Sequence, residues 1–101
     1  MTKVRLIADA RREFFSAVIY YEKARKGLGK RFRRAAEAAF LRAGERPLSG
    51  TPGVAGTRRL RLKGFPFAVI YLPSEDEIMV YAVAHFSREP EYWIERLRTV
   101  G

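Results

Sequence analysis

Three strand-like segments follow one another between Thr57 and Arg98, and they constrain the fold more than any other part of the chain. The segments are Arg58–Lys63, Phe67–Leu72 and Ile78–Phe86. The second and third are continuous apolar runs rich in β-branched and aromatic residues, which is typical of strands covered on both faces. The short connections between the three segments predict an antiparallel meander.

The first of these segments predicts a strand with one basic face. Leu60 and Leu62 alternate there with Arg59, Arg61 and Lys63. Successive side chains of a strand point to opposite faces. We therefore expect the two leucines to face a core and the three cations to share the other face.

The residues after the third segment predict a short helix that opens within Arg88–Trp93. Pro90 suits a first helical turn, because the N–H that proline lacks would have no partner at that position. Trp93 and Leu97 are four residues apart. They are expected to lie on one face of the helix and to pack on the sheet.

The start of the chain predicts a strand followed by a helix. Lys3–Ile7 alternates polar and apolar residues over the length of a short strand. Asp9 is a suitable N-cap for a helix over Ala10–Arg25, in which apolar residues recur at helical spacing. Gly27 stands where the C-cap of this helix is expected.

A second helix is predicted over Leu28–Glu45, followed by a glycine- and proline-rich loop over Pro47–Gly56. The link between the helices is short, which predicts an antiparallel hairpin. The element order is β-α-α-β-β-β-α. The predicted fold class is α+β, an antiparallel sheet with the N-terminal helical hairpin packed on one face. Residues 1–101 are expected to form a single domain, and the sheet edge that receives the first strand stays open.

Positive charge is concentrated in the first part of the chain. The net charge is +9; residues 1–63 hold 17 Lys/Arg against 5 Asp/Glu, whereas residues 64–101 hold 3 against 6. Lys23–Arg34 alone holds seven cations and no acid. Such a field attracts nucleic acid, ribosomes or acidic proteins. The alternative interpretation is a solvated basic helix face without a specific partner.

The composition also predicts the compartment. The chain contains no cysteine, which excludes disulfides and thiolate chemistry and fits a reducing cytoplasm. No apolar run is long enough to span a bilayer, and the first residues lack the apolar core of a signal peptide. We therefore expect a cytoplasmic protein without a membrane partner.

Few catalytic chemistries are compatible with these residue types. One histidine, no cysteine and no clustered pair of carboxylates leave no metal site of the usual kind, and no phosphate-binding glycine loop occurs. Neither a metal nor a cofactor is expected. Metal-free cleavage of RNA remains open, because the 2′-OH of RNA is the nucleophile and the protein need supply only an acid, a base and cations.

Six residues could supply that chemistry or bind a polyanionic target. They are Arg59, Arg61, Lys63, His85, Arg88 and Tyr92. Histidine titrates near neutral pH, which suits either proton-transfer role. In the structural alternative, His85 ends its strand by hydrogen bonding to a backbone group, the arginines are solvated, and Tyr92 packs the last helix.

Two motifs in combination resemble those of the RelE/ParE superfamily, the toxins of type II toxin–antitoxin modules. One is the strand start Phe65–Phe67, an aromatic-proline-aromatic triplet. The other is Val83–Trp93, which reads VAHFSREPEYW. The resemblance covers nearly the whole chain. It implies a compact toxin that is neutralised by a smaller antitoxin, with operator DNA bound only through that antitoxin.

The resemblance implies one of two targets. RelE-like members cleave mRNA in the ribosomal A site, whereas ParE-like members inhibit DNA gyrase and show no nuclease activity. His85 matches a histidine that closes the last strand in both branches, and Arg59 and Arg61 match the region where nucleases place strand cations. Nuclease members have a catalytic tyrosine or second basic residue just after that strand, where this chain has Phe86–Ser87. The ending Arg88–Trp93 resembles the ParE-like, plasmid-stabilisation branch.

We therefore predict a toxin that targets DNA gyrase, with an mRNA endonuclease and a non-toxic basic nucleic-acid-binding domain as alternatives. Whether the protein is an enzyme stays open. An enzymatic form would be a metal-free endoribonuclease with catalytic residues His85, Arg59, Arg61 and Arg88. The residues predicted to bind the target or an acidic cognate antitoxin are Arg59, Arg61, Lys63 and Tyr92.

Overall fold

The computed structural model describes residues 2–99, which form a five-stranded sheet, two long helices and a short one. The elements in chain order are β1 (Lys3–Leu6), α1 (Ala8–Ala24), α2 (Leu28–Glu45), β2 (Thr51–Pro52), β3 (Arg58–Arg61), β4 (Phe67–Leu72), β5 (Glu77–His85) and α3 (Arg96–Thr99). A single 3-10 turn, Val54–Gly56, lies between β2 and β3. No helix within residues 2–99 is long and apolar enough to cross a membrane.

The sheet has the order β1-β5-β4-β3-β2. Neighbouring strands are antiparallel except β1 and β5, which run parallel. β1 therefore joins the edge beside β5, and the sheet is mixed rather than purely antiparallel. The α+β class, with the helical hairpin α1–α2 on one face of the sheet, is confirmed.

The main core lies between the helical hairpin and the sheet. Its largest fully buried side chains are Phe32, Val69, Tyr71, Ile78, Val80 and Val83. Leu60 of β3 and Leu62 just after it are buried in this core, whereas Arg59, Arg61 and Lys63 are exposed. The division of β3 into an apolar face and a basic face is confirmed.

A smaller apolar cluster lies on the other face of the sheet. Trp93 is 6% exposed there and packs on Ile70 of β4 and Ala82 of β5. Leu97 packs against the same cluster. The prediction that Trp93 and Leu97 dock on the sheet is confirmed, and β4 and β5 are covered on both faces as their apolar runs predicted.

The last helix is shorter than the sequence predicted. It begins at Arg96 and not within Arg88–Trp93, where the chain forms successive turns. Glu91 has a φ of 60°, which lies in the left-handed region and cannot continue a right-handed helix. Pro90 therefore starts a turn rather than a helix, and the turns place Trp93 on the sheet.

The start of α1 also differs from the prediction. The helix begins at Ala8 directly after Ile7, whose N–H donates to the carbonyl of Val80. Asp9 therefore lies inside the first turn and is not the N-cap. Its carboxylate pairs with Arg12 one turn later, and a negative charge in the first turn is favourable for the helix dipole.

Gly27 belongs to the start of α2 and not to the C-cap of α1. Its φ of 89° is left-handed, and its N–H and that of Gly29 both donate to the carboxylate of Glu22. A Cβ on Gly29 would lie 2.5 Å from the carbonyl oxygen of Val18, so the glycine lets α2 approach α1 closely.

The segment predicted as a loop contains the two-residue edge strand β2. Thr51 pairs with Arg59 and Pro52 with Arg58. Proline is compatible with an edge strand, because it lacks the N–H that an inner strand would donate. The sequence predicted a loop because this segment contains three glycines, two prolines and no charged residue.

A β-bulge in β5 decides which way the end of the strand faces. Ile70 pairs with Ala82, but the next residue of β4, Tyr71, pairs with Val80. Tyr81 is therefore an extra residue without a partner on β4. Such an insertion moves every later side chain of the strand to the opposite face.

Candidate functional site

The strand cations lie on the face of the sheet away from the helical hairpin. Arg59 is opposite Ile70 and Arg61 is opposite Ala68, and Ile70 belongs to the cluster under Trp93. The guanidinium of Arg59 lies 5.9 Å from the ring centroid of Phe86, and that of Arg61 lies 5.1 Å from it. The side chain that follows β5 therefore contacts both arginines through its π face.

A hollow of about 420 Å³ adjoins these cations, and we call it the outer hollow. Its floor includes Ala68 and Ala84, which are cross-strand partners with small side chains. Arg59, Phe86 and Arg88 stand among its walls. Glu89 and Glu91 also line it. The hollow is therefore a shallow site with charged and aromatic walls, in which the arginines and Phe86 can bind an anionic or planar group.

His85 is turned toward the other face of the sheet. It is the cross-strand partner of Phe67, and the two rings meet edge to face at 4.9 Å between centroids. Phe67 in turn packs on Phe32 of α2. Nδ1 of His85 accepts a hydrogen bond of 2.9 Å from the N–H of Ser87. This is the backbone hydrogen bond of the structural alternative, and it shapes the turn after β5.

The bulge at Tyr81 turns the ring of His85 away from the face that carries Arg59 and Arg61. Without it, the strict alternation from Ile78 and Val80 would direct residue 85 to the face that carries Arg59 and Arg61. With it, the imidazole of His85 packs on the side of the helices. The structure thus brings Arg59 and Arg61 together beside Phe86. His85 also lines the outer hollow with Arg59, Arg88 and Tyr92, while its ring packs on Phe67.

Arg88 and Tyr92 form a stacked pair at the end of the sheet. The guanidinium of Arg88 lies 3.8 Å from the ring centroid of Tyr92, and that of Arg96 lies 5.1 Å from the same centroid. The hydroxyl of Tyr92 donates to Oε2 of Glu13 at 2.8 Å. Burial, followed by the hydrogen bond and negative charge of Glu13, raises the pKa of Tyr92 well above its usual value.

Glu13 and Arg96 are at the centre of this arrangement, and both side chains are 17% exposed. Nη1 and Nη2 of Arg96 donate to the two carboxylate oxygens of Glu13 at 3.0 and 2.9 Å. Arg96 also donates to the carbonyl of Tyr81 at 2.9 Å, and the N–H of Val83 donates to Glu13 at 3.0 Å. The pair thus satisfies backbone groups of β5 beyond the end of its pairing with β1.

The pKa of Arg96 reflects two opposed effects. Burial lowers it, whereas the hydrogen bond and charge of Glu13, with smaller contributions from Tyr92 and Asp9, raise it, and the net shift is upward. Asp9 approaches Arg96 at 3.7 Å. The guanidinium is therefore held in its charged form and acts as a fixed cation.

Glu13 and Arg96 were not among the site residues predicted from the sequence. One signal was present: Glu13 is three residues after Ala10 and four before Ala17, so it lies on the apolar stripe of α1. A carboxylate on such a stripe needs a buried partner. Nothing in the sequence identified Arg96 as that partner, because 20 cations were available.

A second hollow, which we call the α1 hollow, lies between α1 and the end of β5 and has a volume of about 660 Å³. Apolar and aromatic walls, which include Ala17, Tyr21 and Val83, alternate with the cations Arg12 and Arg88. Three large apolar residues on the outer side of α1 are also exposed. They are Phe15, Ile19 and Tyr20, at 47%, 54% and 68%.

Lys63 lies apart from the outer hollow. It follows β3 and borders a groove against α2, together with Arg61 and with Arg34 and Arg42 of the helix. Among residues 2–99, no group of three or more His, Cys, Asp or Glu side chains could hold a metal ion.

Comparison with known proteins supports the architecture described above. A chain from the solved structure "Chromosomal ParDE TA system from P. aeruginosa" superposes with a TM-score of 0.72. The two sequences are 15% identical, and the alignment covers 84% of this chain and 96% of the other. The chain has the RelE/ParE fold. No protein-family model matches the sequence, and no curated protein matches it by sequence.

Proposed function

We propose that the protein is the toxin component of a type II toxin–antitoxin pair. It acts in the cytoplasm as one domain and is neutralised by an acidic cognate antitoxin. Two observations support this proposal: the RelE/ParE fold, shared with a chain of a ParDE system, and the net charge of +9, which suits an acidic partner.

We further propose that the toxin binds DNA gyrase and does not cut RNA. The orientation of His85 carries this choice. Metal-free cleavage needs an acid or base and the charge-stabilising cations at one scissile phosphate. Here the imidazole packs on Phe67 on the helix side, whereas Arg59 and Arg61 stack on Phe86 on the other side. The arginines are better suited to binding a surface than to serving a reaction with His85.

The test is induction in bacteria of the wild type and of two variants, His85→Ala and the double change Arg59→Ala/Arg61→Ala. Circular dichroism melts first establish that each variant folds. Filamentation with inhibited supercoiling by purified gyrase is expected for the wild type and for His85→Ala. The double arginine variant is expected to lose both effects. Arg25→Ala, which removes one exposed cation elsewhere, serves as the control.

Isolated ribosomes decide between this proposal and the nuclease alternative. If the wild type cuts mRNA on them and His85→Ala slows cutting by about 10²–10⁴, the range for loss of a general acid or base, the protein is an endoribonuclease instead. Catalytic roles for His85, Arg59, Arg61 and Arg88 would then follow. No effect on growth by any form would favour the non-toxic nucleic-acid-binding domain.

For the antitoxin, we propose docking on the exposed stripe of α1 and into the α1 hollow. Apolar anchors supply most of the affinity of protein interfaces, and peripheral charges guide the encounter. Phe15, Ile19 and Tyr20 provide exposed anchors. Tyr20 also lines the α1 hollow, together with Arg12 and Arg88. Operator DNA would be recognised through the antitoxin.

A further inference from the structure

A groove between α2 and the end of β3 carries a concentration of positive charge, of which the proposed function uses only Arg61. It lies between α2 and β3 and has a volume of about 290 Å³. We call it the basic groove. Its walls carry Arg34, Arg42, Arg61 and Lys63, and three alanines of α2 complete its lining. No acidic residue borders it among residues 2–99.

The charges of the basic groove are not neutralised by the protein. Within residues 2–99, none of the four cations takes part in an ion pair. The nearby acid on α2, Glu37, pairs with Arg33 and borders a different hollow beside β1. Like charges held together without counterions repel one another, so an arrangement of this kind is stabilised by an anionic ligand.

The spacing of the cations suits an extended anion. Arg34 and Arg42 are eight residues apart on α2, which places them about 12 Å apart along the helix axis. Arg31 is exposed and lies about one turn before them on the same side of the helix. The groove and its extension therefore present a row of cations rather than a single-ion pocket.

The lining indicates which kind of polyanion fits. Protein partners draw most of their affinity from apolar anchors in pockets, and the alanine floor offers no such pocket. Single-stranded nucleic acids bind by stacking their bases on aromatic side chains, and no aromatic residue borders the groove in the described part of the chain. A duplex, in contrast, is held through its phosphates by lysine and arginine alone.

We infer that the basic groove binds the phosphate backbone of duplex DNA without reading its sequence. The choice of DNA over RNA rests on the proposed function, because gyrase works on DNA. Contacts to phosphates carry no sequence information, so operator recognition stays with the antitoxin. The groove would hold the toxin against DNA while the outer face meets its target.

The test measures binding of the purified chain to a short duplex DNA of random sequence by fluorescence anisotropy over a range of salt concentrations. Four phosphate contacts predict a slope of log K against log [salt] of about −3.6. Arg34→Gln/Arg42→Gln should reduce that slope to about −1.8 by removing two contacts. The control Arg5→Gln/Arg11→Gln removes the same charge from the hollow beside β1 and should keep the wild-type slope.

Three results would overturn the inference. The first is an equal loss of slope in the test and control variants, which would mean that only net charge matters. The second is tighter binding of duplex RNA, or of polyglutamate, at equal ionic strength. The third is no binding of duplex DNA at low salt. Toxicity and antitoxin binding are measured separately. A protein that does not bind DNA can therefore still be a toxin, and a protein that is not a toxin can still bind DNA through the basic groove.

Discussion

Glu13 connects three parts of the molecule through a single carboxylate. It accepts hydrogen bonds from the backbone of β5 at Val83, from the hydroxyl of Tyr92 and from the guanidinium of Arg96. A buried ion pair costs desolvation energy, so its value lies less in net stability than in holding one geometry. Here that geometry fixes the C-terminal segment against the end of β5.

We expect Glu13→Leu and Arg96→Met each to destabilise the fold by about 3 kcal/mol, because each leaves a mostly buried charge without its partner. The double variant should lose less than the sum of the two, because the remaining charge is removed as well. Urea unfolding of the four proteins measures this coupling. Arg98→Met, which breaks the exposed pair with Glu95, should change stability by at most about 0.5 kcal/mol. Additive losses would show that Glu13 and Arg96 do not act as a pair.

Tyr92 gives this arrangement a dependence on alkaline pH. Its raised pKa means that the folded protein holds the phenolic proton more tightly than the unfolded chain does. The stabilisation is fully present below about pH 10, the usual tyrosine value, and is lost as the pH rises toward the raised value. The slope should stay below about 1.4 kcal/mol per pH unit, because Tyr92 has a single proton to lose.

Melting temperatures measured from about pH 9 to about pH 11 test this expectation. The wild type should lose stability more steeply over that range than Tyr92→Phe, which has no proton to lose. Tyr20→Phe, a change at an exposed tyrosine, should follow the wild type. Parallel curves for wild type and Tyr92→Phe would show that the hydroxyl makes no pH-dependent contribution.

At the scale of elements, the sequence predicted where helices and strands lie better than it predicted which face of the sheet the last residues of β5 occupy. Phe67–Leu72 and Leu28–Glu45 are found with the predicted bounds. The bulge at Tyr81 could not be predicted, because β5 is apolar on both faces and an inserted residue leaves no break in its pattern. The orientation of His85 depends on that single residue. The left-handed turn at Glu91 could not be predicted either, because the neighbouring Pro90 suits both the start of a helix and a turn.

The C-terminal segment owes its position to one aromatic side chain. Trp93 is 6% exposed against Ile70 and Ala82, so Trp93→Ala should cost about 3–5 kcal/mol of unfolding free energy. Tyr20→Ala, at a ring that is 68% exposed, should change stability by at most about 0.5 kcal/mol. Thermal and chemical unfolding of the two variants measure the difference. A Trp93→Ala protein that melts with the wild type would show that the ring contributes no packing energy.

At the scale of the whole molecule, the fold class and the layer arrangement followed from hydrophobic periodicity, whereas the parallel pairing of β1 with β5 did not. Periodicity says which face of a strand is buried but not which edge it joins. The α2 cations form a basic run that is evident in the sequence. That they lie across the basic groove from Arg61 and Lys63 follows only from the packing of α2 on β3, which the sequence does not reveal. Sites formed by residues distant in the chain depend on such packing.

The net charge of +9 and the apolar stripe of α1 should affect antitoxin binding through different rate constants. Long-range attraction raises the association rate of oppositely charged proteins by about 10–10³, and salt screens it. Raising salt from about 0.05 to about 0.5 M should therefore slow association with the proposed acidic antitoxin by about tenfold or more. Phe15→Ser/Ile19→Ser should instead speed dissociation, because it removes apolar anchors, and should leave the salt dependence of association unchanged. Stopped-flow and surface-binding kinetics separate the two effects. An association rate that does not change with salt would mean that the charge of the protein does not guide antitoxin binding. The charge would then serve the binding of another ligand.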